Sequence, residues 1–489
     1  MPGNANLYAL IEAAAADAGV RPCLIEGGAT VLSYDALDDR VSAVAAVLIA
    51  AGGAPGERLV ARVEKSAEAV LLYLACLKAG LIYVPLNTAY TPAEVGYFLG
   101  DAEPAIFVCD PGREAGLAEV AAGVPVTLTL GAQGEGSLFA RVGGETCPTV
   151  ARGADDIACI LYTSGTTGRS KGAMLSHRNL SSNALTLKAL WGWREGDVLI
   201  HALPIYHVHG LFVALHGALL NGSPMLFHRK FDAAAVLADL PGATVMMGVP
   251  TFYTRLLELP GLTRDGCANM RLFISGSAPL LAATFAAFEE RTGHRILERY
   301  GMTEAGMITS NPYEGERIAG TVGYALPDVD VRIDGGVLEI KGPNLFRGYW
   351  RMPEKTAEEH RADGWFITGD IATIAADGRV SIVGRAKDLI ISGGFNVYPK
   401  EIELLVDMLP GVAESAVIGV PHGDLGEAVV AVVVAEAGFD EAGALAALSD
   451  QLARFKTPRR IVILDQLPRN AMGKVQKALL RERFADLFG

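Results

Sequence analysis

Through most of this chain, short apolar runs of strand length alternate with longer stretches of helical spacing, and that rhythm limits the fold more than any other feature. Residues 59–63, 83–86 and 105–109 read as strands, and residues 34–51, 67–79 and 92–99 read as helices between and around them. Thr91 ahead of Pro92 supplies an N-cap and a pre-set first turn. The pattern resumes at 198–200, 225–227, 244–247 and 272–274. Strands apolar on both faces must be covered on both, and interposed helices do this in parallel α/β sheets. Around Val331 the period shortens, and Val331, Ile333, Leu338 and Ile340 flank Asp334-Gly335-Gly336, which is hairpin chemistry. A polar stretch, Gly384-Arg385-Ala386-Lys387-Asp388, precedes a fresh apolar start and an α+β segment whose most strand-like run is 428–435. A length of 489 residues is too great for one core at about 150 residues per domain. The main boundary is placed at Lys387, giving domains 1–386 and 387–489.

A net charge of −13 is the wrong sign for a surface that tracks nucleic-acid phosphates, so no nucleic acid is expected as a partner. An anionic small molecule stays open, because charge inside a cleft can oppose the overall sign. Cys23, Cys76, Cys109, Cys147, Cys159 and Cys267 show no metal-ligand spacing and read as buried reduced thiols. Met1-Pro2-Gly3-Asn4-Ala5-Asn6 lacks the basic start of a signal peptide, and no apolar run approaches the roughly 18 residues of a spanning helix. The expectation is a cytoplasmic protein without a membrane partner, monomeric or dimeric.

After the apolar run Ile157-Ala158-Cys159-Ile160-Leu161 comes Tyr162-Thr163-Ser164-Gly165-Thr166-Thr167-Gly168-Arg169-Ser170-Lys171-Gly172, whose eleven residues hold five hydroxyls of Ser or Thr, three glycines and two cations. Glycines let backbone N–H groups approach an anion, and hydroxyls and cations add donors and charge, so a polyphosphate suits it. The spacing of a P-loop NTPase fails, because Lys171 stands three residues after Gly168 and is followed by Gly172. A second segment, Glu298-Arg299-Tyr300-Gly301-Met302-Thr303-Glu304, offers an aromatic face for a purine and a carboxylate for Mg²⁺, though Thr303-Glu304 also reads as an ordinary helix start. A third, Thr368-Gly369-Asp370, places a carboxylate where a ribose could be held, with Arg385 further on, and a strand-to-turn Gly-Asp would look the same. The fourth, Asn470-Ala471-Met472-Gly473-Lys474, follows the strand-like Ile461-Val462-Ile463-Leu464, and its lysine taken alone would be solvated.

Taken in order, these segments, with Gly384 to Ile390 and Ser392-Gly393-Gly394, resemble the adenylate-forming superfamily of acyl-CoA synthetases, luciferases and peptide-synthetase adenylation domains from about residue 32 to residue 474. The resemblance implies an α/β fold: a large N-terminal domain of parallel α/β subdomains with a small β-barrel-like subdomain, and a small mobile α+β C-terminal domain. It implies that ATP and a carboxylate form an acyl-adenylate and that CoA then displaces AMP. Thr163, Ser164, Gly165, Thr166, Thr167, Gly168 and Lys171 would hold the β- and γ-phosphates. Glu304 with Thr163 would hold Mg²⁺, Thr303 would touch the α-phosphate, Tyr300 and Gly301 would meet the adenine, and Asp370 and Arg385 the ribose. Lys474 would stabilise charge in the adenylation step, Lys387 would be the hinge, and Ser392, Gly393 and Gly394 would line the pantetheine tunnel. For the CoA nucleotide, Lys341, Arg347 and Arg351 are open candidates. The hairpin at Asp334-Gly335-Gly336 is shorter than in most relatives.

The segments His207-Val208-His209-Gly210, Ser275-Gly276-Ser277-Ala278-Pro279 and Glu298 to Glu304 resemble malonyl-CoA synthetases in particular. This implies malonate as the acid, with methylmalonate as a second candidate. Arg255 and Ser277 would bind the distal carboxylate, with His207, Gly301 and Met302 in the acyl pocket. Arg255 could instead be a surface residue beside Glu258 or Asp265, and His209 reads equally as a satisfied core histidine or as a substrate contact. Three alternatives stand beside this reading: a short-chain or aromatic monocarboxylate–CoA ligase, an adenylating enzyme that does not use free CoA, and a nucleotide-binding regulatory protein without turnover.

Overall fold

The computed structural model describes residues 3–163, 170–470 and 474–488. The chain divides into two compact units, Met1–Asp330 with Lys341–Phe366, and Val331–Ile340 with Ile367–Gly489. In the first unit a six-stranded sheet runs in the order Val126–Thr129, Ile106–Cys109, Arg58–Arg62, Ile82–Pro85, Ile157–Thr163, Lys171–Ser176. Its neighbours are parallel except for the last pair, which is antiparallel and sets Thr163 opposite Lys171. The second sheet of this unit has nine strands, with Leu199–His201, Val245–Gly248, Leu272–Ser275 and Leu297–Met302 adjacent and parallel at its centre.

Local sequence explains the elements. Pro92–Ala102 begins with a reciprocal capping box, in which Thr91 Oγ1 accepts from the Glu94 N–H and Glu94 Oε2 accepts from the Thr91 N–H. Ala67–Lys78 is apolar nearly all round and correspondingly buried. Its one buried cation, Lys78, stays paired, 2.7 Å from Asp38 and 3.3 Å from Glu12. Around the second sheet Met246, Tyr253, Leu256, Phe273, Phe288 and Ile296 form a closed core. The residues 300–304 do not start a helix. Leu297–Met302 instead turns back antiparallel into Gly306–Ser310, so Thr303 and Glu304 sit in the hairpin tip.

The second unit carries a four-stranded sheet, Asp330–Asp334, Val337–Lys341, Phe366–Ile374 and Val380–Arg385, where the sequence changes period. Gly335 and Gly336 both have positive φ, 56° and 84°, as a two-residue turn between twisted strands requires. A further sheet pairs Val412–His422 with Gly426–Ala435 antiparallel, and Arg460–Ile463 joins the latter in parallel. Ile402, Val406, Val417, Ala431 and Leu448 close its core. Compactness thus groups the four-stranded sheet with residues beyond 387. All six cysteines are free thiols, five of them buried. Among the described residues no helix is long and apolar enough to cross a membrane.

Candidate active site

Glu304 is 6% exposed at the tip of its hairpin. The hairpin is tight: a Cβ on Gly301 would lie 2.2 Å from the Gly306 carbonyl oxygen, so no side chain fits there. Asn183 binds both backbone groups of Met307, and Asn344 donates to the carbonyls of Ala305 and Met307. The Phe346 N–H donates to the Glu304 carbonyl at 2.7 Å, and residues 347–350 then bond along the strand Lys171–Ser176. This segment brings the Tyr349 hydroxyl 2.9 Å from Glu304 Oε1 and 2.6 Å from Glu359 Oε2. Glu359 Oε1 accepts from Lys171 Nζ at 2.9 Å, and that ammonium stands 4.2 Å from the centre of the Tyr349 ring. Burial raises the Glu304 pKa, while for Glu359 burial is outweighed by Tyr349 and Lys171, and its pKa falls. Thr163 donates to the Lys171 carbonyl at 3.5 Å. Ser164, Gly165, Thr166, Thr167 and Gly168 lie outside the described residues.

A second cluster lies at the carboxyl ends of the central strands. Arg299, in the strand Leu297–Met302, is 3% exposed, and its Nε and Nη2 have no hydrogen-bond acceptor. Its guanidinium packs so closely on Gly276 that a Cβ there would meet it at 2.4 Å. Burial lowers its pKa, with Tyr253 and Glu298 opposing the shift. Next along the chain, Ser277 holds a φ of 71°, a left-handed conformation that a non-glycine residue adopts only under local constraint. Its Oγ is 3.4 Å from His209 Nδ1, and the loop is tied by Leu280 N–H donating to Glu298 Oε1. His209 is buried, its pKa is pushed well down by burial and then by Arg299, and its Nε2 has no partner. It begins His209–Ala214, wound as a π-helix, a form that recurs at functional sites. His207 accepts the His209 N–H at 3.4 Å, and Pro204, Ile205 and Tyr206, which precede it in the chain, line a cavity of about 300 Å³ together with Lys65, Phe231 and Phe252. Arg255 is elsewhere: it is exposed on the helix Pro250–Leu257.

The remaining candidates in the first unit are held by neighbours. Lys341 donates to the Asp363 carbonyl, while Arg347 pairs with Asp155 at 3.8 Å and Arg351 with Glu103 at 2.9 Å. Tyr300, Gly301, Met302 and Thr303 are half-buried along the hairpin.

The chain matches the AMP-binding enzyme family over residues 11–350 and the AMP-binding enzyme C-terminal domain over residues 401–474. It belongs to the AMP-binding enzyme family. Among curated relatives it is 36% identical to a feruloyl-CoA synthase of Amycolatopsis sp, covering 94% of this chain and 95% of that one. It is 35% identical to a malonate–CoA ligase of Arabidopsis thaliana, covering 88% and 78%. The crystal structure of ATP-bound MatB from Rhodopseudomonas palustris superposes with a TM-score of 0.97 at 54% identity, covering all of both chains.

Several candidates fall in the second unit, including Asp370 and Arg385, which the boundary expected at Lys387 had placed in the first domain. Asp370 is buried and 2.6 Å from Arg385, its cross-strand neighbour. Lys387 lies in the turn Ala386–Asp388, with a pKa lowered by burial. Gly393 and Gly394 have φ of 59° and 82° and turn the chain between Ile390–Ser392 and Phe395–Val397, with Ser392 buried beside them. Lys474 is exposed, and its backbone N–H donates to Asn470 Oδ1 at 3.0 Å. Three residues of consequence went unread in the sequence: Arg299, Tyr349 and Glu359. Only Arg299 left a local signal: with Glu298 it forms a charged pair inside a strand, between Leu297 and Tyr300.

Proposed function

We propose that this protein is an ATP-dependent acid–thiol ligase converting malonate, ATP and CoA into malonyl-CoA, AMP and pyrophosphate, with methylmalonate as a second acid. The observation that carries the acid class is Arg299. A buried guanidinium with two open donors, beside the Ser277 hydroxyl and a neutral His209, is costly unless an anion completes it. A distal carboxylate supplies both acceptors in one planar contact. Arg299 therefore replaces Arg255 as the partner of Ser277, since exposed Arg255 is on a helix face turned to solvent. The feruloyl-CoA synthase relative is the competing precedent, but an aromatic acid carries no second carboxylate for these donors. The malonate–CoA ligase relative fits them.

In the first half-reaction the near carboxylate attacks the α-phosphorus and pyrophosphate leaves. Thr163, Lys171 and residues 164–168 bind the β- and γ-phosphates, Thr303 meets the α-phosphate, Tyr300 and Gly301 the adenine, and Asp370 with Arg385 the ribose. A single buried carboxylate, Glu304, with Thr163 fits Mg²⁺, which takes one or two protein oxygens and completes its shell with phosphate oxygens and water. When bound, the metal would neutralise phosphate charge. His207 and Met302 border the acyl group. Lys474 stabilises charge on the reacting carboxylate and α-phosphate. In the second half-reaction the CoA sulfur attacks the acyl carbon, AMP leaves, and the thiol proton passes to solvent. A turn about Lys387, dividing 1–386 from 387–489, exchanges Lys474 for the loop of Ser392, Gly393 and Gly394. We place the enzyme in the cytoplasm, as a monomer or dimer, where reduced cysteines are the norm.

The test is pyrophosphate release with ATP·Mg²⁺ and malonate, methylmalonate, succinate, acetate, butyrate or benzoate, each with and without CoA. Turnover confined to malonate and methylmalonate supports the reading, and preference for butyrate or benzoate removes the acid assignment.

A further inference from the structure

Lys171, Glu359, Tyr349 and Glu304 form one unbroken series of contacts within the first unit. Glu359 uses a separate oxygen for each neighbour: Oε1 accepts from Lys171 at 2.9 Å, and Oε2 is 2.6 Å from the Tyr349 hydroxyl. That hydroxyl also reaches Glu304 Oε1 at 2.9 Å, and the Tyr349 ring lies beneath the Lys171 ammonium at 4.2 Å. Lys355 stands 3.3 Å from Glu359 Oε1 and 2.9 Å from Glu358, a second cation on the same carboxylate. The backbone fixes the arrangement from two sides, since Trp350 N–H donates to the Gly172 carbonyl and Tyr349 N–H to Thr356 Oγ1.

An ammonium has three N–H donors. Glu359 accepts one and the aromatic face attracts the charge without consuming a specific donor, so capacity remains for a phosphate oxygen. A lysine side chain held in this way has already given up rotamer freedom before its ligand arrives, which favours binding. We propose that Glu359 is a positioning residue for the triphosphate end of ATP: it holds Lys171 directly and relates it, through Tyr349, to Glu304. This rests on the ligase reading, in which Lys171 meets the β- and γ-phosphates. AMP has neither phosphate, so its binding does not depend on Glu359.

The experiment is calorimetric titration of ATP·Mg²⁺ and of AMP into the full-length wild type and Glu359→Gln, which keeps an oxygen for Tyr349 and removes the charge that holds Lys171. ATP affinity should fall about ten-fold, and AMP affinity should stay within about two-fold. Thioester formation from preformed malonyl-adenylate and CoA should be unchanged. Glu359→Asp, which keeps the charge one carbon short, should lose less, and in a Lys171→Gln background the Glu359→Gln loss should vanish. Equal loss of ATP and AMP, unchanged ATP affinity, or the same loss in both backgrounds would overturn the proposal. A wild type that binds no ATP would instead overturn the ligase reading beneath it.

Discussion

Arg299→Met puts the pocket assignment at risk most sharply. The guanidinium is 3% exposed and has two donors without acceptors, so a carboxylate seated on it gains two charge-assisted bonds in a site closed to water. Such bonds contribute about 1.5–3 kcal/mol each, and removing one member of a buried ion pair costs about 3–5 kcal/mol. Taken as transition-state binding, that is a loss of roughly 10²- to 10⁴-fold in kcat/KM for malonate. Butyrate, of similar chain length but without the second carboxylate, makes no such contact, and its kcat/KM should change by less than about three-fold. Arg255→Ala should alter malonate use by no more than about two-fold, because an exposed side chain without a buried partner contributes little. The assay is continuous pyrophosphate release over a concentration series of each acid. Thermal unfolding of Arg299→Met should show no loss of stability, since replacing an incompletely paired buried cation by an apolar side chain is often neutral or favourable. Equal losses on malonate and butyrate would show that Arg299 merely supports the fold. Loss of malonate use in Arg255→Ala with retention in Arg299→Met would refute the pocket.

Lys474→Gln should reduce adenylate formation about 10²- to 10³-fold in pyrophosphate exchange while leaving thioester formation from supplied malonyl-adenylate near wild type. Gly301→Ala forces a methyl group to within 2.2 Å of a backbone oxygen and should lower both thermal stability and ATP binding, checked by melting with and without nucleotide. Buried His216, held down to about 3, and His177, at about 4, take up no proton in the folded chain where the unfolded chain, with histidine near about 6.5, does. Their contribution to stability is therefore full above about pH 6.5 and is lost as the pH falls toward 4 and then 3, so denaturation midpoints should drop steadily over that range. His216→Gln should flatten the drop, and an unaltered slope would assign it to other groups.

Periodicity made the fold legible because each strand and helix reports its own burial. The capping box at Thr91 and Glu94, the buried helix Ala67–Lys78 and the parallel strands around Val245–Gly248 follow from residues adjacent in the chain. The ordered motifs likewise singled out Glu304, and the segments like those of malonyl-CoA synthetases drew attention to Ser277 and His209. What stayed hidden depends on long-range approach. In the chain Arg255 and Arg299 look alike, each a cation close to apolar residues and to an acid, Glu258 and Glu298, and only the tertiary fold exposes one and packs Gly276 against the other. Tyr349 reaches Glu304 across 45 residues of chain and Lys171 reaches Glu359 across 188, distances at which no spacing rule operates. The four-stranded sheet groups with the C-terminal residues through contacts of 331–340 with 367 onward, which a change of period at Val331 could not reveal.

The central claim is the reaction itself, and product analysis tests it most directly. Purified protein is incubated with ATP·Mg²⁺, CoA and malonate, with butyrate and ferulate in parallel, and the thioester, AMP and pyrophosphate are quantified by mass spectrometry and enzymatic assay. The account predicts malonyl-CoA, AMP and pyrophosphate in equal amounts and little product from the other acids. Butyryl-CoA or feruloyl-CoA as the main product, or ATP binding without any thioester, would contradict it.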